Sequence, residues 1–399
     1  MHDSALMSKA FHDRFFLVSP SPVSPSQPDD PPPLPPQPLK EVMSDEISAV
    51  LSSTSNKSAP GISSINYKLL KWAFAASPQR FLDLYNAALT LGYHPWKEAL
   101  VVVIPKPNKP DYSLPKAYRP IALLECCGKV LEKIIACCVL HDVNSLQLIP
   151  TNQFGSRNYS STVDAGLSIV HTAQAAICTG HVAALLLFDI QGFFNNINAE
   201  WAVQIFLDLG FPPSLCKWLC SFLSECRIRL CFNATTSDPF LVLHGTPQGS
   251  PLSPLLSAIY TSPLLKHLEA LWTKRSLSLY VDDGAISALG PSYRHAVHMV
   301  AEGFEEVTSW LAQNGLHAEP EKTELIIFHP KHHVAFGAPI HRVGLCNPVI
   351  GEYLVKVSPT VRYLGMFLHH RLDWSGEVKI MACRAQSVFQ ALSIMGNSI

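Results

Sequence analysis

Three aspartates stand where chemistry could be done. Ala184-Leu185-Leu186-Leu187-Phe188-Asp189 puts one acid at the exit of an apolar run, and Leu279-Tyr280-Val281-Asp282-Asp283 puts two at the end of another. Burying a charge is costly, so apolar strands do not ordinarily end in unpaired carboxylates. Three acids converging on one sheet edge would repel one another, and divalent cations would relieve that repulsion. Mg²⁺ prefers carboxylates completed by substrate phosphates. Two such ions about 3.5–4 Å apart can activate an attacking oxygen and stabilise a leaving one. The competing reading is plain: Asp282-Asp283-Gly284 is also a common turn sequence.

The elements that must position these acids are visible as periodicity. Residues 184–189 form a buried strand, and Leu277, Leu279 and Val281 alternate until Asp282-Asp283-Gly284 interrupts them as a turn. Residues 227–232 alternate as a strand that pairs with residues 240–243, and residues 101–104 and 325–328 are further strands. Helical spacing covers residues 41–52 and 67–76. It covers residues 215–223 too, where Leu215, Trp218, Leu219, Phe222 and Leu223 recur on one face. The capping box Ser161-Thr162-Val163-Asp164 starts a helix that runs to Ile177. Val297, Val300, Phe304, Val307 and Leu311 mark another, ended by Asn314-Gly315. Helices alternating with strand pairs predict an α+β fold, an antiparallel sheet with helices behind it.

The 399 residues are 48% hydrophobic and 15% charged, enough for a real core and two or three subdomains. A net charge of −1 argues against a uniformly basic surface. A nucleic-acid-binding chain of this charge would concentrate its basic groups in a cleft. Lys106, Lys109, Lys116 and Arg119 lie in one proline-punctuated stretch, either a solvated loop or an arm contacting phosphates. The 11 cysteines show no zinc-type spacing and read as buried free thiols in a reducing compartment. No apolar run reaches the roughly 20 residues needed to span a bilayer. Residues 18–38 are dense in Pro and Ser, so residues 1–40 are expected to be a disordered leader.

Further motifs stand around the acids in a fixed order. Phe188-Asp189-Ile190-Gln191-Gly192-Phe193-Phe194, then Gly245-Thr246-Pro247-Gln248-Gly249-Ser250-Pro251-Leu252-Ser253-Pro254, then Tyr280-Val281-Asp282-Asp283 resemble motifs A, B and C of reverse transcriptases. Gly315-Leu316 through Lys322-Thr323-Glu324 is similar to motif D, and Tyr363-Leu364-Gly365 to the primer-grip motif E. Upstream, Ile104-Pro105-Lys106-Pro107, Tyr118-Arg119-Pro120-Ile121 and Asn152-Gln153-Phe154-Gly155-Ser156-Arg157 resemble the fingers of non-LTR retrotransposon enzymes of the jockey-like kind. The likeness covers roughly residues 55–375. Three positions depart from the family pattern: Asn195 in motif A, Glu319 in motif D, and Ile62-Ser63-Ser64 after Ala59-Pro60-Gly61.

The resemblance implies a right-hand polymerase with a palm carrying the antiparallel sheet, fingers and an incomplete thumb. It divides the chain into the leader 1–40, an N-terminal extension and fingers over 41–180, a palm with interleaved fingers elements over 181–355, and primer grip with truncated thumb over 356–399. Asp189, Asp282 and Asp283 would hold two Mg²⁺ ions, with Mn²⁺ as a substitute. Lys322 would protonate the departing pyrophosphate. Lys106 and Arg119 would bind the triphosphate, and Gln248 and Gly249 would meet the incoming nucleotide. Phe194, five residues after Asp189, would sit under the sugar and exclude a 2′-hydroxyl. Tyr363, Leu364 and Gly365 would position the primer end. The implied partners are an RNA template, a DNA primer and dNTPs, together with the endonuclease and C-terminal domains of a parent polyprotein; no membrane is implied. By family analogy alone the work would be intracellular and nuclear. Two alternatives keep the fold: an inactive remnant that only folds or binds RNA, and an RNA-templated RNA polymerase.

Overall fold

The computed structural model describes residues 4–16, 33–107, 109–232, 235–330 and 342–396. Its helices in chain order are α1 (Ser4–Phe15), α2 (Ser44–Ser53), α3 (Tyr67–Ala76), α4 (Pro78–Leu91), α5 (Cys126–Ser145), α6 (Thr162–Cys178), α7 (Ala199–Asp208), α8 (Pro213–Leu223), α9 (Ser253–Tyr260), α10 (Ser262–Leu271), α11 (Tyr293–Gln313) and α12 (Ser375–Gly396). The strands are β1 (Glu98–Pro105), β2 (Tyr118–Leu123), β3 (Val182–Asp189), β4 (Cys226–Phe232), β5 (Thr235–Thr236), β6 (Phe240–Val242), β7 (Arg275–Tyr280), β8 (Asp283–Gly290), β9 (Glu324–Phe328), β10 (Arg342–Asn347), β11 (Gly351–Lys356), β12 (Thr360–Tyr363) and β13 (Met366–His369).

Contacts gather these elements into two compact units that cut across the linear division expected from sequence. The first takes Met1–Pro150, Gly192–Ser262 and Gln313–Leu316, and the second takes Thr151–Gln191, Pro263–Ala312 and His317–Ile399. Motif B and the Phe194 turn therefore belong to the first unit, apart from the acids.

The first unit is built on a sheet ordered β2-β1-β4-β5, with β6 also on β4. β1 alternates because every second residue, Ala99, Val101 and Val103, is buried in one apolar cluster with Ile228 and Leu230 of β4. α1 closes that cluster. Its Phe11 is 1% exposed, with ring centroids 5.2 Å from Tyr118 and 5.1 Å from Phe232. Residues 1–40 are thus not a disordered leader throughout. Met7, Phe11 and Phe15 sit at helical spacing, and the proline run beyond them hid that signal. The neighbouring residues 33–43 are tied down as well, by Leu34 N–H to Asp208 O at 2.9 Å, Gln37 N–H to Gly210 O at 2.8 Å and Lys40 to Asp142 at 2.6 Å. The rest of the proline-rich stretch, residues 17–32, lies outside the described residues.

The second unit holds an antiparallel sheet ordered β7-β8-β3-β9. β3 is apolar from Val182 to Phe188 because both its faces are covered, and only its last residue, Asp189, is charged. Ala183, Leu185 and Leu187 pack with Ile169 and Ala173 of α6 and with Val361, Tyr363 and Leu368 of the β12–β13 hairpin. On the other face Phe188 meets Phe304 of α11 edge-on at 5.8 Å. α6 begins where the sequence places it. Ser161 Oγ accepts from Asp164 N–H, and the Asp164 carboxylate accepts from Ser161 N–H at 2.8 Å.

The Asn152-Gln153-Phe154-Gly155 segment, expected in the fingers, runs along β7 in this second unit. Phe154 N–H donates to Leu279 O at 2.8 Å, Leu279 N–H to Asn152 O at 3.0 Å, and Asn152 Nδ2 to Leu277 O at 2.6 Å. It acts as a backbone brace for the strand that leads into the acids.

Candidate active site

The antiparallel register of β3 and β8 sets Asp189 directly opposite Asp283, and Phe188 opposite Gly284. Ile190 N–H donates to Asp282 O at 2.9 Å, so the chain leaving β3 is bonded to the tip of the β7–β8 hairpin. The turn falls one residue earlier than the sequence suggests: Val281 and Asp282 form it, and Asp283 and Gly284 already belong to β8. Val281 has φ 60°, a left-handed conformation that is a true outlier for a β-branched residue. Such strain costs of order 1–3 kcal/mol and persists where the surroundings over-determine it. Gly155 is part of that surrounding, since a Cβ there would stand 2.6 Å from Val281 N. Gly284 has a packing role rather than a turn role: a Cβ on it would lie 2.2 Å from Cζ of Phe188.

Charge is concentrated at this edge. Burial pushes the Asp283 carboxyl up to about 6, reinforced by Asp282 and Asp189 and eased by Lys322. Asp282 is raised too, by burial first and Asp189 second. Lys322, on the short helical turn Pro320–Lys322, donates to Asp189 Oδ2 at 2.7 Å and pairs with Glu319 at 2.8 Å. Burial lowers the Lys322 ammonium, but the bonds to Asp189 and Glu319 outweigh it and leave the group above its usual range. Glu324, two residues on, accepts the backbone N–H of Arg362 at 3.4 Å. Backbone bonds hold the motif D segment in place: Glu319 N–H donates to Asp189 O and Gln191 N–H to His317 O, each at 2.8 Å.

A cleft of about 320 Å³ opens beside these groups, lined by Asp189, Asp283, Glu321, Lys322, Arg362 and Tyr363 among others. Tyr363 is 3% exposed and its hydroxyl has no hydrogen-bond partner among the described residues. Burial, then Asp283, pushes that phenol well above its ordinary range. Leu364 at φ 49° and Gly365 at φ 93° make the two-residue tip of the β12–β13 hairpin. Two successive positive φ values suit the twist of a tight hairpin, and Leu364 adopts one without being glycine.

Among the described residues no three acidic, imidazole or thiol groups are set to hold a metal ion. Asp189 is engaged by Lys322. The donor chemistry fits a hard cation: the carboxylates crowd one edge, and burial first, then mutual repulsion, holds two of them above their ordinary range. A partial set completed by substrate oxygens is what Mg²⁺ ordinarily takes.

The residues expected to meet the nucleotide are assembled in the first unit. Phe194 is half-buried in the short turn Phe193–Asn195, and its carbonyl accepts Thr246 N–H at 2.7 Å. Gln248 O accepts Ala122 N–H of β2 at 2.8 Å, and Gly249, at φ 145°, leaves no room for a Cβ against Ala122 O at 2.4 Å. Arg119 is exposed on the same strand β2. Lys106, just past β1, donates to Lys116 O at 3.0 Å, and its N–H bonds to Ala117 O at 2.8 Å. Motif A's turn, motif B and the basic hairpin thus form one hydrogen-bonded assembly.

Sequence reading missed Glu319 and Arg362 as neighbours of the acids. It noted Glu319 only as a departure from pattern, although its spacing of three before Lys322 allows an ion pair. No local signal marked Arg362.

Sheet, hairpin and motif order place the chain among template-copying polymerases. The family model for reverse transcriptase (RNA-dependent DNA polymerase) matches residues 104–368, and the chain belongs to that family. It is 27% identical to the probable RNA-directed DNA polymerase from transposon BS of Drosophila melanogaster, over 89% of this chain and 39% of that protein. It is 27% identical to the corresponding X-element protein (86% and 37%) and 25% identical to the RNA-directed DNA polymerase from mobile element jockey (86% and 36%), both of Drosophila melanogaster. The chain thus spans about two fifths of the length of these curated relatives. The fold is that of the reverse transcriptase domain, a family that generally uses divalent metals and acts on nucleic acid. Among the described residues no helix is long and apolar enough to cross a membrane.

Proposed function

We propose that this chain is the RNA-directed DNA polymerase of a jockey-like non-LTR retrotransposon, adding deoxynucleotides to a primer 3′-hydroxyl on an RNA template. The observation that carries the reading is the register that sets Asp189 against Asp283 with Asp282 at the adjoining tip. Asp189, Asp282 and Asp283 would hold two Mg²⁺ ions, or Mn²⁺, together with substrate phosphates. Held there, such ions would supply charge neutralisation for an attacking and a leaving oxygen. The carboxylates supply that binding at little cost, because their mutual repulsion is relieved when a cation arrives.

Lys322 stays protonated beside Asp189 and serves as proton donor to the leaving pyrophosphate. Arg119 and Lys106 hold the triphosphate; an exposed guanidinium grips phosphate oxygens at two points. Gln248 and Gly249 offer side chain and close backbone to the nucleotide. Phe194 selects deoxyribose by occupying the space of a 2′-hydroxyl. Tyr363, Leu364 and Gly365 hold the primer end. Template and primer are held by shape and backbone, since base pairing supplies the sequence information. The relatives' greater length supports a parent polyprotein with further domains.

The test is primer extension by the full chain on poly(rA) with oligo(dT), dTTP and Mg²⁺ or Mn²⁺, beside Asp282→Asn. Extension by the parent alone is expected. Extension by neither, from folded protein that still binds primer–template, would sink the reading and leave a folded remnant.

A further inference from the structure

One carboxyl, in the first unit, has no part in the chemistry of the acids just described. Glu132, in the middle of α5, is 1% exposed. A buried carboxyl costs several kcal/mol unless its oxygens are satisfied. Its partner is Ser250, 118 residues away, whose hydroxyl donates to Oε2 in a short bond. The same Ser250 oxygen accepts Leu252 N–H at 3.1 Å, and Ser250 N–H donates to Pro247 O at 3.2 Å. Ser250 is therefore the point at which the loop from Pro247 to Leu252 is closed on itself and fixed to α5. The other side of that loop is fixed to β2 through Ala122 N–H to Gln248 O, with Gly249 pressed against the Ala122 carbonyl. Gln248 and Gly249 are thus held between two anchors, one a backbone bond and the other a single buried carboxyl.

We propose that Glu132 is a positioning residue whose carboxylate latches Ser250 and so sets the Gln248-Gly249 turn for the incoming deoxynucleotide. This deepens the polymerase reading and rests on it. A hydrogen bond to an ionised acceptor is roughly twice as strong as a neutral one, so the latch is tightest when Glu132 is charged. Burial raises this carboxyl to about 7, against the pull of the Ser250 bond and of Lys129 on the same helix. Tyr67 of α3 and Cys226 of β4 also sense its charge, and Cys126 of α5 joins it in acting on Tyr67. The latch accordingly loosens on the acid side of neutrality.

The experiment has two independent readouts on the full chain. In primer extension with varied dTTP, the parent's KM is expected to fall about fivefold as pH rises through about 7, a modest fraction of a charged hydrogen bond. Glu132→Gln, which keeps shape and an acceptor, is expected to hold the acid-side KM at every pH with kcat little changed. Ser250→Ala added to Glu132→Gln is expected to do no further harm, since the two residues act as one pair. The second readout is hydrogen exchange at the Ala122 amide, which needs no activity. Glu132→Gln should lower its protection about tenfold relative to the amides of α5. An unchanged KM profile with unchanged Ala122 exchange overturns the latch. If the parent extends no primer, the polymerase reading fails, and Ala122 exchange alone decides whether Glu132 holds the loop. Should Glu132→Ala fail to fold, Glu132→Gln still answers both questions.

Discussion

The acids at the β7–β8 tip and the acid in α5 are both held above the ordinary carboxylate range, but by different company. Asp283 is crowded by Asp282 and Asp189 and borders a cleft, Asp282 is crowded by Asp189, and both are only partly answered by Lys322. Among the described residues no acidic group acts on Glu132, which is 1% exposed. One buried hydroxyl satisfies it inside the first unit. The crowded group stores repulsion that a cation can release. The solitary one stores a burial cost that a single bond offsets. A raised carboxyl therefore belongs to a charge-crowded edge in one place and to a solitary, hydroxyl-bound group in the other, and its neighbours tell which.

Removing the crowded charges should have the largest effect. Asp189→Asn is expected to lower primer extension by about 10³-fold or more, since it removes a cation-binding oxygen and the ion pair to Lys322 together. Steady-state extension beside the parent checks this. A loss below tenfold would show that the acids at this edge do not share one task. Lys322→Met should come next, with kcat reduced by about 10²-fold at nearly constant stability, if its ammonium acts as the proton donor. Lys322→Arg recovering most of the rate would argue instead for a purely electrostatic role.

A smaller effect is expected from packing beneath the acids. Gly284→Ala drives a methyl into the Phe188 ring, and overpacking of this kind costs about 1–3 kcal/mol. Urea denaturation would show it as a lowered midpoint with the slope unchanged. The smallest concerns the solitary acid. Glu132 titrates near 7 when folded and near 4.5 when unfolded, so the folded state binds the extra proton between those values. Stability from this group is present at low pH and is lost as pH rises through that window. Glu132→Gln removes the dependence. Its melting temperature relative to the parent should therefore climb from pH 5 to pH 8, and a difference that stays flat would show Glu132 to be unshifted.

Much of the second unit could be read from local pattern. The apolar run ending at Asp189, the alternation leading to Asp282 and the capping box at Ser161 each depend on residues a few positions apart. Strand and helix periods express themselves over that range. The turn at the acids was still misplaced by one residue, because Asp283-Gly284 looks like a turn by composition. Glycine is required there by the ring of Phe188, which reaches it across the sheet. α1 was missed for the opposite reason: its stripe of Met7, Phe11 and Phe15 is local, but the proline run after it dominated the reading.

By itself the sequence determined that one aspartate would end an apolar strand and two would sit at a hairpin tip, that the motifs would follow in polymerase order, and that an antiparallel sheet would carry them. Each of these is written in neighbouring residues. Only the tertiary structure decided that Lys322 would bind Asp189 across 133 positions, that Asn152-Gln153-Phe154-Gly155 would brace β7, and that Glu132 would close on Ser250. Along the chain, a charge meant for burial looks like any surface charge. Only the fold, by removing water from around it, makes its partner matter.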